Sequence, residues 1–435
     1  MRWLTATILI LIAALVLRLE LLAYAMYVLL AALLSSRFLA QAWAKSIEAS
    51  RRCNRLTAEV GDTVAVVVTV RNQGRLPIAW LLAEDLLPHQ ALIHRPPNLE
   101  LSGQRIRLSM LGGRAEKRLL YQLKCNRRGY YQLGPLVVET GDVFGLHRRY
   151  RVVTHPHFLL VYPPVIPLEG FEIASRRPIG EVRMTYRLYE DPTRIAGVRH
   201  YEPGDPLNRV HWRATARTGS LHSKVYEPST VVGATVLLEF HEASHPRQNE
   251  PFRSELAVIA AASVANAVYQ MGQQIGLVTN GRDAADRIRV EGWDFDPHTR
   301  RQARQSASMK ERSDRLQPVM VPTRRGAEQL RRILETLARV ELTDGLRLPQ
   351  LVLESAGRLP RDATVIAILP TVTTETVVTL QTLKQRGFAV AAILNLHDEF
   401  DFAAASGPLE SIGIRAHHLK NESSVSGICR QFLLR

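Results

Sequence analysis

Cysteine is almost missing from this sequence. Three occur in 435 residues, Cys53, Cys125 and Cys429, with no metal-type spacing among them. An odd, sparse set without metal-type spacing fits a reducing compartment better than a disulfide framework. Lysine is scarce too: seven lysines leave 49 arginines among the 56 basic residues, against 41 acidic ones, for a formal net charge of +15. Such a surface attracts the phosphates of nucleic acid or anionic lipid, and an arginine-rich genome gives the same bias. No Gly-x-x-x-x-Gly-Lys-Ser/Thr loop is present, so the chain is not a P-loop ATPase. No Gly-x-Ser-x-Gly elbow is present either, and Ser220 near His222 lacks the arrangement that makes a nucleophile. Repeats at solenoid periods and low-complexity tracts are also lacking. A hydrophobic share of 46% rules out wholesale disorder, and the length allows two or three domains.

What is present begins with an apolar run from Leu4 to Leu34, broken only by Arg18 and Glu20. The run exceeds the ~20 residues of a single membrane span. One long span and a two-span hairpin both remain open. A hairpin of about 4–17 and 21–39 puts Arg18 and Glu20 in the interface, although "LRLEL" holds no Gly, Pro or Asn for the turn. Ala23-Tyr24-Ala25 is a weak signal-peptidase site, because hydrophobicity resumes after it. Arg37, Lys45, Arg51, Arg52 and Arg55 follow the apolar run and mark that side as cytoplasmic.

From Leu56 to about Tyr162 short β-branched and alternating segments recur between turn residues, as in "DTVAVVVTVRNQG" and "RIRLSMLGGRAEKRLLYQLKC". This spacing predicts a β-sandwich. Pro163, Pro164 and Pro167 mark its exit. Beyond Val231 the rhythm changes. "VVGATVLLEF", "QQIGLVTN", "ATVIAILP" and "FAVAAILN" read as buried strands alternating with helices over 255–271 and 373–386, which means a mostly parallel sheet. An amphipathic helix is expected over 326–342, with Leu330, Ile333, Leu334 and Leu337 on its apolar face. Residues 296–317 read as a polar loop.

Two stretches, "NRRGYYQLGPLVVETGDVFGL" and "GVRHYEPGDPLNRVHWRATARTGSLHSKVYEP", closely resemble the bacterial "domain of unknown function 58" family. The resemblance implies a membrane hairpin, an inserted β-sandwich and a von Willebrand factor A-like α/β domain. It also implies a partner, since members are often encoded beside MoxR-type AAA+ ATPases. It supplies no reaction. The expected division is a membrane segment over 1–45, a sandwich over 46–165, and an α/β domain over 166–435 that includes the signature segment 197–228.

Von Willebrand A-like domains often hold a divalent ion on an Asp-x-Ser-x-Ser loop after the first strand, because hard cations need several oxygen ligands. Here that place reads Glu239-Phe240-His241-Glu242-Ala243, without either serine, so the ion site is expected to be lost. The same turn spells "HEASH", in which His241, Glu242 and His245 match the zincin pattern. Zinc there needs both histidines on one helix face, yet Pro246 follows at once and Glu255 is a strained third ligand.

In the signature segment Asp205-Pro206 reads as a helix start and Gly219 as its end, with Arg209, Arg213 and Arg217 in one stripe. Tyr201, Pro203, Gly204, His211 and Trp212 complete the candidate docking residues. Three readings compete: catalysis, for which the linear order shows no base beside a nucleophile, nucleic-acid binding by the arginine stripe with Trp212 and Tyr226 as stacking surfaces, and a structural collar whose main rival is docking. The arginines clamp Glu202, Asp205 and Glu227 as a structural collar, with Trp212 packed at its edge, or they face a partner. The collar is the expected arrangement. The function expected is a non-enzymatic protein-interaction module at the inner membrane, its bulk cytoplasmic, without cofactor, with a MoxR-type ATPase as partner. The alternatives are a membrane-bound zinc hydrolase on "HEASH" and a basic binder of nucleic acid or anionic lipid.

Overall fold

The computed structural model describes residues 2–93, 96–142, 147–168, 190–201, 210–228, 233–285, 316–360 and 363–428. The chain divides into two compact units. One holds Met1–Pro164 with Gly281–Leu316 and Leu334–Gly345, the other Val165–Asn280, Gln317–Ile333 and Leu346–Arg435.

The first unit opens with helices α1 (Arg2–Val16) and α2 (Glu20–Ser46). They pack on each other through Leu11, Ala14 and Ala23, with Met26 and Leu30 alongside. The turn lacking a glycine is made by Arg18, whose φ of 52° is left-handed. The Arg18 N–H donates to the Leu15 carbonyl (3.3 Å) and the Leu19 N–H to that of Ala14 (2.9 Å). This is the Schellman pattern, which satisfies the last carbonyls of α1. Among the described residues only α2, with a mean hydropathy of 1.7, is long and apolar enough to cross a membrane; α1 is a shorter apolar helix.

The end of α2 packs into the sandwich. Ala40 and Trp43 are buried, and Trp43 joins the sandwich core with Leu39 packed beside it. Arg151 Nη1 donates to the carbonyls of Ala44, Lys45 and Ile47 at 3.1–3.2 Å, neutralising the negative end of the helix.

The sandwich follows as β1 (Ile47–Cys53), β2 (Thr57–Glu59), β3 (Thr63–Asn72), β4 (Ile78–Asp85), the short α3 (His89–Ile93), β5 (Leu99–Gly103), β6 (Ile106–Leu111), β7 (Glu116–Cys125), β8 (Gly129–Leu133), β9 (Leu136–Gly141), β10 (Arg148–Val152) and β11 (His157–Tyr162). The sheets run β1-β3-β7-β5, β10-β9-β4-β6 and β2-β11-β8. Alternation fixes the register. Val64, Val66 and Val68 of β3 lie opposite Leu123, Tyr121 and Leu119 of β7, and all six are buried. A slip of one residue would turn this row to solvent.

One charged cluster lies inside. Arg51 pairs in a fork with Asp85, both side chains fully buried, and Arg51 Nη1 also donates to the His155 carbonyl at 2.9 Å. Tyr121 donates its hydroxyl to Asp85 Oδ2 at 2.7 Å. Gly134 passes directly over the Arg51 guanidinium at a φ of 86°, where any side chain would collide with it.

Residues expected in the α/β domain also lie in this unit. Arg128 Nη1 donates to the carbonyls of Leu337 (2.8 Å) and Val340 (2.9 Å). Strands β16 (Arg282–Asp283) and β18 (Val340–Glu341) pair, and Arg339 Nε reaches Asp283 at 3.2 Å. The helix expected over 326–342 is Ala327–Arg339, with Ile333 and Leu337 fully buried; its residues through Ile333 belong to the second unit and those from Leu334 to the first.

In the second unit a six-stranded sheet runs β17 (Val319–Arg324), β15 (Gln274–Thr279), β14 (Gly233–Leu238), β19 (Ala363–Leu369), β20 (Val390–Leu394) and β21 (Arg415–His418). All neighbours are parallel except the edge strand β17, which is antiparallel. Every residue of β14 is buried, as befits a strand covered on both faces. The alanine-rich helix Phe252–Gln270 packs against β14 and β15. A separate core joins Leu351 and Leu380 to Leu237, Val365 and Leu394.

Candidate functional site

The signature segment forms an antiparallel ribbon of its own. Strand β12 (Glu190–His200) pairs with β13 (His222–Pro228), with Val198 opposite Lys224 and His200 opposite His222. Between them lies a seven-residue helix, Trp212–Thr218. Val210 before it forms a β-bridge with Ser223, and His211 is the cap, its Nδ1 accepting from the Ala214 N–H at 3.0 Å. Arg213 and Arg217 lie on this helix. Gly219 ends the helix as expected, at a φ of 73°, its N–H donating to the Thr215 carbonyl.

Pro203, Gly204, Asp205 and Arg209, with Glu202, lie outside the described residues, and so does the side chain of Glu227. The Tyr201 N–H donates to the Leu221 carbonyl at 2.9 Å, and His222 Nδ1 is held by the Ser220 carbonyl at 2.8 Å. Trp212, expected to pack at its edge, is instead 68% exposed, and Val198 and Leu221 are exposed too. Arg213 and Arg217 are likewise exposed. Among the described residues neither makes an ion pair.

A second polar cluster lies at the carboxyl ends of the parallel strands. After β14 the chain departs to β15 on one side, whereas β19 lies on the other. Reversal of direction at such a point opens a crevice beyond the strand ends. Glu239 lies there, 5% exposed. Ser244 Oγ donates to Glu239 Oε1 at 2.7 Å, and Glu239 Oε2 is buried with no hydrogen-bond partner. Burial pushes this carboxyl above the usual carboxylate range, and the Ser244 hydrogen bond offsets part of the rise.

"HEASH" does not form the helix that zincin chemistry needs. Glu242–Ser244 is a single 3₁₀ turn capped by His241, whose Nδ1 accepts from the Ala243 N–H at 3.1 Å. His245 Nδ1 donates back to the His241 carbonyl at 3.1 Å, and the ring meets Phe240 edge-on. The His241 nitrogen used by the turn is thus not offered to an ion, and Glu242 does not stand between two ligands. No group of three His, Cys, Asp or Glu placed to hold a metal is found among the described residues.

The strand ends are tied by residues that sequence reasoning missed. Asn280 accepts from the Phe240 N–H (2.6 Å) and donates to the Leu346 carbonyl (2.8 Å). Arg253 Nη1 reaches Asn395 Oδ1 (3.0 Å) and the Leu419 carbonyl (3.3 Å), and Asn395 donates to the Arg253 carbonyl (2.7 Å). The available signal was an asparagine ending a buried strand, in "GLVTN" and "AAILN".

Fold and site together define a two-unit protein, a β-sandwich with an apolar helical hairpin and an α/β unit whose polar clusters sit on a ribbon and at the strand ends. A family model described as "Protein of unknown function DUF58" matches residues 197–292 of the chain. The match takes in Trp212, Glu239 and the helix Phe252–Gln270. The chain is similar to the uncharacterized protein YeaD of Bacillus subtilis (strain 168), 25% identical over 241 residues, or 55% of this chain and 57% of that protein. It therefore spans little more than half the length of this curated relative. Among solved structures it is similar to the CARDB domain of the PF1109 protein from Pyrococcus furiosus (11% identity, TM-score 0.19, 26% of this chain and 91% of that one). It is also similar to a non-cellulosomal cohesin from Archaeoglobus fulgidus (16% identity, TM-score 0.18, 26% and 91%). At these scores neither likeness bears on function.

Proposed function

We propose that this protein is a membrane-anchored, non-enzymatic interaction module that docks another protein on the ribbon of its signature segment. The observation that carries the reading is Trp212, 68% exposed and followed by the exposed Arg213. A large aromatic left in water beside guanidinium groups is the composition of an interface hot spot. The family resemblance supplies a MoxR-type AAA+ ATPase as the partner and a von Willebrand A-like identity for the α/β unit. The hairpin α1–α2 serves as the anchor in the inner membrane, with the bulk of the chain in the cytoplasm.

The test is retention of a purified MoxR-type ATPase on the full chain held in detergent micelles. Trp212→Ala combined with Arg213→Glu should weaken retention by about tenfold or more, with the melting curve unchanged. Undiminished retention by this double variant would remove the ribbon as the docking face.

A further inference from the structure

We infer that the cavity at the carboxyl ends of β14 and β19 receives a primary ammonium group, the tip of a lysine on the partner protein, with Glu239 as its counter-ion. The inference rests on the interaction reading above and names what a second contact of that partner recognises. The cavity holds about 200 Å³ and is lined by Glu239, Ser244, Leu348, Thr371, Thr373 and Glu375, among others. An adjoining groove of about 470 Å³ shares Arg347, Pro349 and Glu375 with it. The groove gives room for the segment that bears the lysine.

Glu239 Oε2 is the reason to expect a ligand. A buried carboxylate oxygen with no donor is costly, and its natural complement is an N–H. Thr373 is already engaged as the cap of the helix Thr374–Gln385, accepting from the Thr376 N–H at 3.3 Å. The remaining lining oxygens, on Thr371 and Glu375, suit the three donors of an ammonium. Leu348 and Pro349 offer an apolar wall for the methylene stem.

The same geometry argues against other cations. A guanidinium binds a carboxylate through two parallel hydrogen bonds, and Ser244 already occupies Oε1. A divalent ion wants six or more oxygens at close range, roughly, and Arg347 on the cavity wall repels a double charge. A single positive charge fits a space lined by the acids Glu239 and Glu375 with Arg347 and the capping His241.

The full chain in detergent micelles is titrated with n-butylammonium, n-butylguanidinium and magnesium chlorides at constant ionic strength, followed by calorimetry. Saturable butylammonium binding is expected, weakened about tenfold or more in Glu239→Gln. Ser244→Ala frees Oε1 and should shift the preference toward butylguanidinium, which keeps the idea testable if the glutamine variant does not fold. No saturable binding of butylammonium, equal binding to Glu239→Gln, or displacement of butylammonium by magnesium would each overturn it. Failure of the docking reading shows separately. Then Trp212→Ala/Arg213→Glu retains the ATPase while butylammonium binding stays as described.

Discussion

Glu239 and His245 lie six residues apart, and burial pushes them in opposite directions. It raises the Glu239 carboxyl and lowers the His245 imidazole. For a carboxyl raised on folding, the native state holds its proton to higher pH than the unfolded chain does. Stability from that proton is complete below the unfolded value and is lost as pH rises through the folded one. His245 acts oppositely. Its neutral form is the one accommodated, so stability falls as pH drops below the ordinary histidine range. Glu239→Gln removes the first dependence and leaves the second. Melting temperatures of wild type and variant, followed from pH 4 to pH 8 as a rough bracket of both ordinary values, should diverge as pH rises, with the variant gaining. Parallel curves would mean that Glu239 is not buried in the way described. In the sandwich the acid Asp85 is equally buried but differs in kind, because Arg51 and Tyr121 satisfy both of its oxygens. A buried acid with full partners holds a fold together, and one with a vacant oxygen is open to a ligand.

The helix Trp212–Thr218 has seven residues, too few to stand without its surroundings. What fixes it is the ribbon: the His211 N–H donates to the His222 carbonyl at 2.8 Å, and the His222 N–H to Thr215 Oγ1 at 3.1 Å. Gly219→Ala places a side chain on a left-handed residue and should destabilise the chain by about 1 kcal/mol. Arg213→Ala removes an exposed side chain and should cost no more than about 0.5 kcal/mol. Thermal melting of the two variants checks both, and a large loss in Arg213→Ala would restore the collar that the sequence suggests. Asp205-Pro206, which has the chemistry of a helix start, lies outside the described residues, and the cap of the described helix is a histidine, which carries little capping signal. The buried strands "GATVLL" and "ATVIAIL" were legible because continuous apolar runs have few other uses. The edge strands "VMVPTR" and "RAHH" were not, since each is half exposed and one contains a proline. Glu239 was legible as a position after the first strand. Its vacant oxygen was not, because the cavity depends on Thr371 and Leu348, more than 100 residues away in sequence.

At the scale of the molecule the decisive element is α2, a single helix from an apolar stretch into the core of the sandwich. If α2 crosses a membrane as proposed, the sandwich follows to the side that Ser46 reaches, because Trp43 belongs to its core. On the proposed anchoring, the side would be set while the chain inserts, when Arg37, Lys45, Arg51, Arg52 and Arg55 are all unpaired and would be retained on the cytoplasmic face. After folding these residues diverge. Arg51 turns inward to Asp85, Arg55 pairs with Asp62 at 2.8 Å, and Arg37, Lys45 and Arg52 stay exposed. Orientation and stability can therefore be separated by mutation. A reporter fused after Arg435 that works only outside the cell membrane should stay silent. Replacing Arg37, Lys45, Arg52 and Arg55 by glutamine should raise its signal while leaving the sandwich intact, since exposed pairs are worth only about 0–1 kcal/mol. Arg51 must stay, because its loss would strand Asp85 in the core at about 3–5 kcal/mol. External activity from the unaltered chain would place both units on the far side of the membrane and remove a cytoplasmic ATPase as their partner.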